Sequence, residues 1–204
     1  MRVEIRSNSA VLEGYVNVVE RESRMLRDSH GAFIEIVKAG TFAKAIKNND
    51  NVELRFNHNR HLGDVKSGSL ELREDDIGLF ARAVVEDKEV IEKARNKELR
   101  GWSFGFFCRN AEWEEAKTSD DSVMRKRKLT DIELREVSIL DKTPAYIATS
   151  IEMRDDKEDL VEFRSAPNEE IEVIEEKREK KDDPSSFFAE IDKKYMEIKG
   201  GNNE

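Results

Sequence analysis

The chain has 204 residues, 40% of them charged, with a mean hydropathy of -0.75, a pI near 5.1 and a formal net charge of -9. That length suits one domain with appendages, and the polarity requires that part of it be solvated rather than packed. A single cysteine, Cys108, excludes an internal disulfide and a cysteine-based zinc cluster; the acidity argues against general nucleic-acid binding, and with no signal-peptide opening or bilayer-length apolar run a soluble intracellular protein is expected.

The charge is unevenly placed. Residues 151–204 hold 18 of the 45 acidic and 10 of the 36 basic residues, a net of -8 against -1 for residues 1–150. A boundary is therefore expected near Thr149, with a nearly neutral domain over 1–149 and a charged, mostly non-core extension over 150–204.

In chain order, Val3 and Ile5 alternate with charged residues as in a short strand, and Ala10 to Val19 reads as a longer, more apolar one. Glu20 to His30 reads as a polar loop, Phe33 to Val37 as a strand, and Thr41 to Ile46 as a short helix opened by Gly40, with Phe42, Ala45 and Ile46 on one face. Val52 to His58 alternates so that Val52, Leu54, Phe56 and His58 share a face, which makes the imidazole continue an inward apolar row. A core histidine satisfied by a backbone carbonyl and a catalytic base both fit that position. His58, His61 and Asp64 have the spacing of metal ligands on a helix, but the extended pattern and Gly63 argue against the helix, so no metal is expected.

Ser69 to Arg73 and Leu79 to Val85 read as a hairpin closed by Asp75-Asp76-Ile77-Gly78. Asp87 caps a helix with Val90, Ile91, Ala94 and Leu99 on one face, and this helix delivers the chain into Gly101-Trp102-Ser103-Phe104-Gly105-Phe106. In a strand, the three rings line one face while Gly101, Ser103 and Gly105 line the other, leaving the hydroxyl open to close approach. Taken by itself, a serine between glycines is far more often a packing compromise or a bulge than a nucleophile, so a base and a carboxylate must be found in other strands. Cys108 falls on the aromatic face, where a thiol is structural and inert.

The last core strands are expected over Arg109 to Glu115 and about Val123 to Leu140. Arg125-Lys126-Arg127-Lys128 reads as a solvated hairpin or a local docking patch rather than a nucleic-acid site. Glu136 shares the alternating face of Ile132, Leu134, Ser138 and Leu140, and a carboxylate in such a row needs a cation, for which the His58 imidazolium is a natural partner. Ser103, His58 and Glu136 thus supply a hydroxyl, a base and an orienting carboxylate from three different strands. In the extension, residues 151–182 read as a linker or marginal helix. Asp183-Pro184 then opens an amphipathic helix over about 184–199, with Phe187, Phe188, Ile191, Tyr195 and Ile198 at helical spacing.

Asn57-His58 with Leu62-Gly63, Ser67-Gly68, Leu70, Leu72, Glu74-Asp75 and Gly78-Leu79 resembles the histidine region of the tailed-phage prohead (capsid maturation) proteases. Gly101 to Phe106 resembles their serine motif, Leu134 to Leu140 with Pro144-Ala145-Tyr146 their closing strand, and Gly40-Thr41-Phe42 also fits. The resemblance, spanning most of residues 10–150, implies a mainly β, α+β fold: a compact β-barrel core with peripheral helices, like the herpesvirus assembly proteases, plus the charged C-terminal extension. It implies a serine endopeptidase without cofactor, with Ser103 as nucleophile and His58 as general base. The herpesvirus enzymes use a second histidine as third member. None follows Ser103 here, so Glu136 takes that place, with Asp131 and Glu133 as fallbacks. The implied substrates are a scaffolding protein or the N-terminal scaffolding segment of the major capsid protein, cut inside assembling proheads in the host cytoplasm, and the protease itself. Self-association also fits, with neither nucleic acid nor membrane as partner. Backbone amides near Ser103 or after Leu140 would form the oxyanion hole. The competing readings are a non-catalytic capsid assembly or scaffolding protein, which leaves the Gly-flanked serine and the inward histidine without purpose, and a metal-dependent hydrolase using His58 and His61.

Overall fold

A computed structural model of the chain describes residues 1–117, 123–141, 161–165 and 171–175. The first sheet element, β1 (Arg2–Ile5), is followed by β2 (Ala10–Val18), β3 (Leu26–Asp28) and β4 (Gly31–Val37). The helix α1 (Thr41–Asn48) leads to β5 (Glu53–Phe56), β6 (Arg60–Asp64), β7 (Leu70–Glu74) and β8 (Gly78–Val85). After α2 (Lys88–Arg95) come the two long strands β9 (Gly101–Lys117) and β10 (Val123–Leu140), then β11 (Val161–Ser165) and β12 (Glu172–Glu175).

These strands form two sheets, one ordered β12-β1-β2-β8-β7 and one running β11-β9-β10-β4-β3 with β5 and β6 attached through β10. The mainly β expectation holds, but the closed barrel does not. Among the described residues both paths end on strands with one partner each, and closure would require the first and last strands of a sheet to pair. The inward faces of both sheets supply one core, in which Ile5, Leu12, Leu79, Leu54, Trp102, Phe104, Phe106, Leu134 and Ile139 are buried.

Local chemistry explains the elements around the site. In the β7–β8 turn, Asp75 Oδ1 accepts the amides of Ile77 and Gly78, and a Cβ on Gly78 would lie 2.1 Å from the Asn17 carbonyl, so only glycine fits. The α1 N-terminus follows Gly40, which has no side chain to cap it. The Glu74 carboxylate of β7 accepts the Gly40 and Ala43 amides instead, at 2.6 and 2.5 Å, tying α1 to the hairpin. Asp87 caps α2 by accepting the Val90 amide at 3.0 Å.

Three features depart from the sequence reading. The polar stretch 20–30 contains β3, held by Arg125 donating to both Asp28 oxygens at 2.8 and 3.0 Å. The segment after His58 returns as β6, antiparallel to β5. The described parts of the extension join the sheets: β11 adds to β9, and β12 adds in parallel to β1. Val161-Glu162-Phe163-Arg164-Ser165 is an alternating segment, which is a strand's pattern rather than a linker's, and the edge of β9 takes it up. The helix expected over about 184–199 lies outside the described residues. The basic run is ion-paired at every position, Arg125 to Asp28, Lys126 to Glu22, Arg127 to Glu35 and Glu162, and Lys128 to Glu114.

Candidate active site

The site is built around β10, which pairs with both the serine strand β9 and the strand β5 that leads to His58. One edge of β10 runs antiparallel to β9, and the other pairs in parallel first with β4 and then, over Glu136 to Ile139, with β5. On β9 the alternation holds: Trp102, Phe104 and Phe106 are buried in the core, and Gly101, Ser103 and Gly105 face the opposite side. Ser103 lies opposite Ser138 and Gly105 opposite Glu136. A Cβ on Gly105 would come within 2.8 Å of both the Glu136 Cγ and the Phe163 ring, so the glycine makes room for the carboxylate.

Glu136 reaches this face by a route the alternation does not provide. Leu134 pairs with Phe106 and Glu136 with Gly105, so Arg135 is an extra residue, a β-bulge. The bulge leaves Leu134 in the core and turns Glu136, Ser138 and Leu140 to the other face, which corrects the single apolar row read from the sequence. Glu136 is 5% exposed, and its oxygens are partnered. Oε1 accepts from His58 Nδ1 at 2.5 Å and from Ser138 Oγ at 3.0 Å, while Oε2 lies 3.1 Å from Arg55 Nε. The Arg55 guanidinium and two donors offset the desolvation that a lone buried carboxylate would suffer.

His58 also departs from its expected place. The strand β5 stops at Phe56, and Asn57 and His58 take left-handed conformations with φ of 51° and 64°. Unbroken alternation would have pointed the imidazole into the core behind Leu54 and Phe56; the turn swings it to the face of Glu136. Such a pair costs roughly 1–3 kcal/mol per residue and persists only where surrounding bonds hold it. Here the Asn57 amide donates to the Ile139 carbonyl at 2.9 Å, its side chain donates to Asp141 at 2.8 Å, the His58 amide donates to Ser138 Oγ at 3.2 Å, and Arg55 donates to the His58 carbonyl at 3.1 Å. A carboxylate can only accept, so Nδ1 is the nitrogen that donates to Glu136, and Nε2 is the nitrogen turned to proton exchange with a hydroxyl, the arrangement a general base needs.

The structure therefore joins His58 to Glu136 directly and sets Ser103 on the neighbouring strand of the same face. The Ser103 hydroxyl is fully buried, and its hydrogen bonds run elsewhere: it donates to the Arg164 carbonyl at 2.8 Å and accepts from Ser165 Oγ at 3.3 Å. Both partners are in β11, whose Phe163 ring stands 4.4 Å from the His58 ring. Asp131 pairs with Lys44 at 2.7 Å, and Glu133 with Arg109 and Arg135, so neither fallback carboxylate faces the imidazole. His61 Nε2 is 3.8 Å from Asp64, and among the described residues no group of three metal-ligating side chains comes together. Burial pushes the Cys108 thiol up, away from a reactive thiolate.

Sequence reasoning passed over three residues of the site. Arg55 and Ser138 were legible in principle, since β5 and β10 place them opposite one another beside Glu136. Phe163 was not, because nothing local links it to a serine sixty residues earlier.

A family model described as caudovirus prohead serine protease matches residues 1–163. Neither the curated proteins nor the solved structures give a match.

Proposed function

The chain belongs to the caudovirus prohead serine protease family, and from that premise we propose that Ser103 is its nucleophile, His58 its general base and Glu136 the carboxylate that orients the base. It is a serine protease of phage proheads, acting in capsid maturation. The observation that carries the residue roles is the 2.5 Å bond from His58 to a buried Glu136, on the face where β9 presents Ser103 between two glycines.

In the proposed cycle, Ser103 Oγ attacks the scissile carbonyl while His58 Nε2 takes its proton and passes it to the leaving amine. The acyl-enzyme is then hydrolysed by a water activated the same way. Glu136 stabilises the imidazolium formed in each half, and Arg55 and Ser138 keep Glu136 in place as positioning residues. The substrates we infer are the scaffolding protein or the N-terminal scaffolding segment of the major capsid protein, and the protease itself, cut inside the assembling prohead in the host cytoplasm. Residues 1–149 would carry the catalytic groups and 150–204 the extension, which lends β11 and β12 to the two sheets and whose amphipathic segment 184–199 would recruit the protease to the shell or scaffold. That recruitment fails if deleting residues 183–204 leaves incorporation into proheads unchanged.

The test is co-expression of the wild type or Ser103→Ala with the cognate capsid and scaffold genes, followed by intact mass. Shortened capsid or scaffold chains with the wild type, insensitive to chelator and absent with Ser103→Ala, are the expected result. Identical products from both would return Ser103 to a packing role and leave an assembly protein.

A further inference from the structure

The strand that covers Ser103 belongs to the chain itself. β11 adds antiparallel to the edge of β9 not used by β10, in a register that sets Ser165 opposite Ser103, Phe163 opposite Gly105 and Val161 opposite Phe107. Its two faces do different things. On the site face, the Arg164 carbonyl holds the Ser103 proton, Ser165 Oγ adds a second contact, and Phe163 packs on His58, so the nucleophile and its base are each engaged by this strand.

On the opposite face, Glu162 and Arg164 enter a closed ring of alternating charge. Arg164 donates from Nε and Nη2 to the two oxygens of Glu35 at 2.6 and 2.9 Å, Arg127 binds both oxygens of Glu162 at 2.6 and 2.8 Å and reaches Glu35 at 3.1 Å, and Arg164 closes the ring onto Glu162 at 2.6 Å. Glu35 and Arg164 are 3% and 8% exposed. The ring divides evenly: β11 brings one charge of each sign, and Glu35 and Arg127 remain paired with each other when it leaves. Removing β11 therefore strands no unpaired buried charge, which makes the strand releasable where a one-sided clamp would not be.

We propose that the outer edge of β9 is a peptide-docking edge, that β11 is its resident occupant and holds the protease closed, and that Glu35 and Arg127 recognise the Glu162-x-Arg164 pattern. An extended peptide with an acidic residue and, two positions on, a basic residue would replace β11 by the same strand addition, its backbone passing over Ser103. This inference rests on the assignment of Ser103 as nucleophile.

The test uses the full chain, a fluorophosphonate that labels activated serines, and cleavage of the cognate scaffold or capsid chain. Arg164→Ala keeps every proposed catalytic group and removes one side of the ring; labelling and cleavage are expected to rise on the order of 10- to 100-fold, the scale of a lost hydrogen bond between charged groups. The converse variant, Phe107→Cys with Val161→Cys in a Cys108→Ala background, locks two cross-strand partners. It should be inert when oxidised and active when reduced. Full activity of the oxidised lock, or an Arg164→Ala chain that is folded yet no faster than wild type, overturns the inhibitory role while the protease reading stands. A wild type and variants that all fail to label or cleave, even with the lock reduced, overturn the protease reading and this inference together.

Discussion

Two buried glutamates, Glu136 and Glu35, lie in the same sheet and are nearly equally hidden, at 5% and 3% exposure, yet their surroundings suit them to different work. Glu35 is held by two guanidiniums, Arg164 and Arg127, groups that do not give up a proton in a protein. Its charge is balanced in one way only, which makes it structural. Glu136 has one guanidinium, Arg55, and one imidazole, His58. An imidazole gains and loses a proton in the range where enzymes work, so the balance around Glu136 changes during a proton transfer and the carboxylate has something to stabilise. Burial of a carboxylate is therefore no guide to chemistry until the partner's ability to titrate is known.

The largest effect that would sharpen this contrast is Glu136→Gln. The amide keeps the shape but removes the charge that favours the imidazolium, and kcat should fall by about a thousand- to ten-thousand-fold, the scale seen when an orienting carboxylate is neutralised in a triad. A folded Glu136→Gln enzyme with near wild-type kcat would remove Glu136 from the mechanism. Glu35→Gln should do the reverse. Two buried guanidiniums would then share Glu162 alone, and unfolding stability in a denaturant titration should drop by about 3 kcal/mol. Labelling of Ser103 in the folded fraction should be retained or increased, since the latch on β11 is weakened. A fully stable but inactive Glu35→Gln would place Glu35 in the chemistry and erase the distinction.

Much of this arrangement was written locally. The Trp102, Phe104 and Phe106 row, the Asp87 cap and the Asp75 to Gly78 turn each follow from side-chain period or turn chemistry acting over a few residues, and each is found. The meeting of His58 with Glu136 is different. Strict alternation places both on the apolar face of their strands; the structure brings them together on the other face, through the left-handed Asn57-His58 turn and the Arg135 bulge. Both irregularities are set by partners on neighbouring strands, Ile139 and Ser138 for the turn and Phe106 and Gly105 for the bulge, so the period of either segment alone could not announce them. The same holds for β11, whose pattern is visible but whose partner is β9, and a short charged strand names no address on its own.

The smallest predicted effect concerns pH and separates the Glu35 cluster from an ordinary surface pair. Burial would raise the Glu162 carboxyl, but hydrogen bonds and charge from Arg127 and Arg164 hold it below its usual 4.5. A carboxyl lowered in the folded state contributes stability that is complete above its unfolded value and is lost as pH falls through its folded value. Acid should therefore loosen β11 below pH 4.5, and the Glu162→Gln chain should show a shallower loss of stability and of Ser103 protection over that range. Asp28, lowered to about 2 by Arg125, gives the control: that pair is only half-buried, with solvent at hand to screen it, and lies apart from β11, so its weight there is small. Asp28→Asn should leave the acid profile of Ser103 labelling unchanged. If the two substitutions flattened the profile equally, the closed charge ring would have no more hold on β11 than a salt bridge at the rim, and the difference between the two buried glutamates would have to be sought in Glu136 alone.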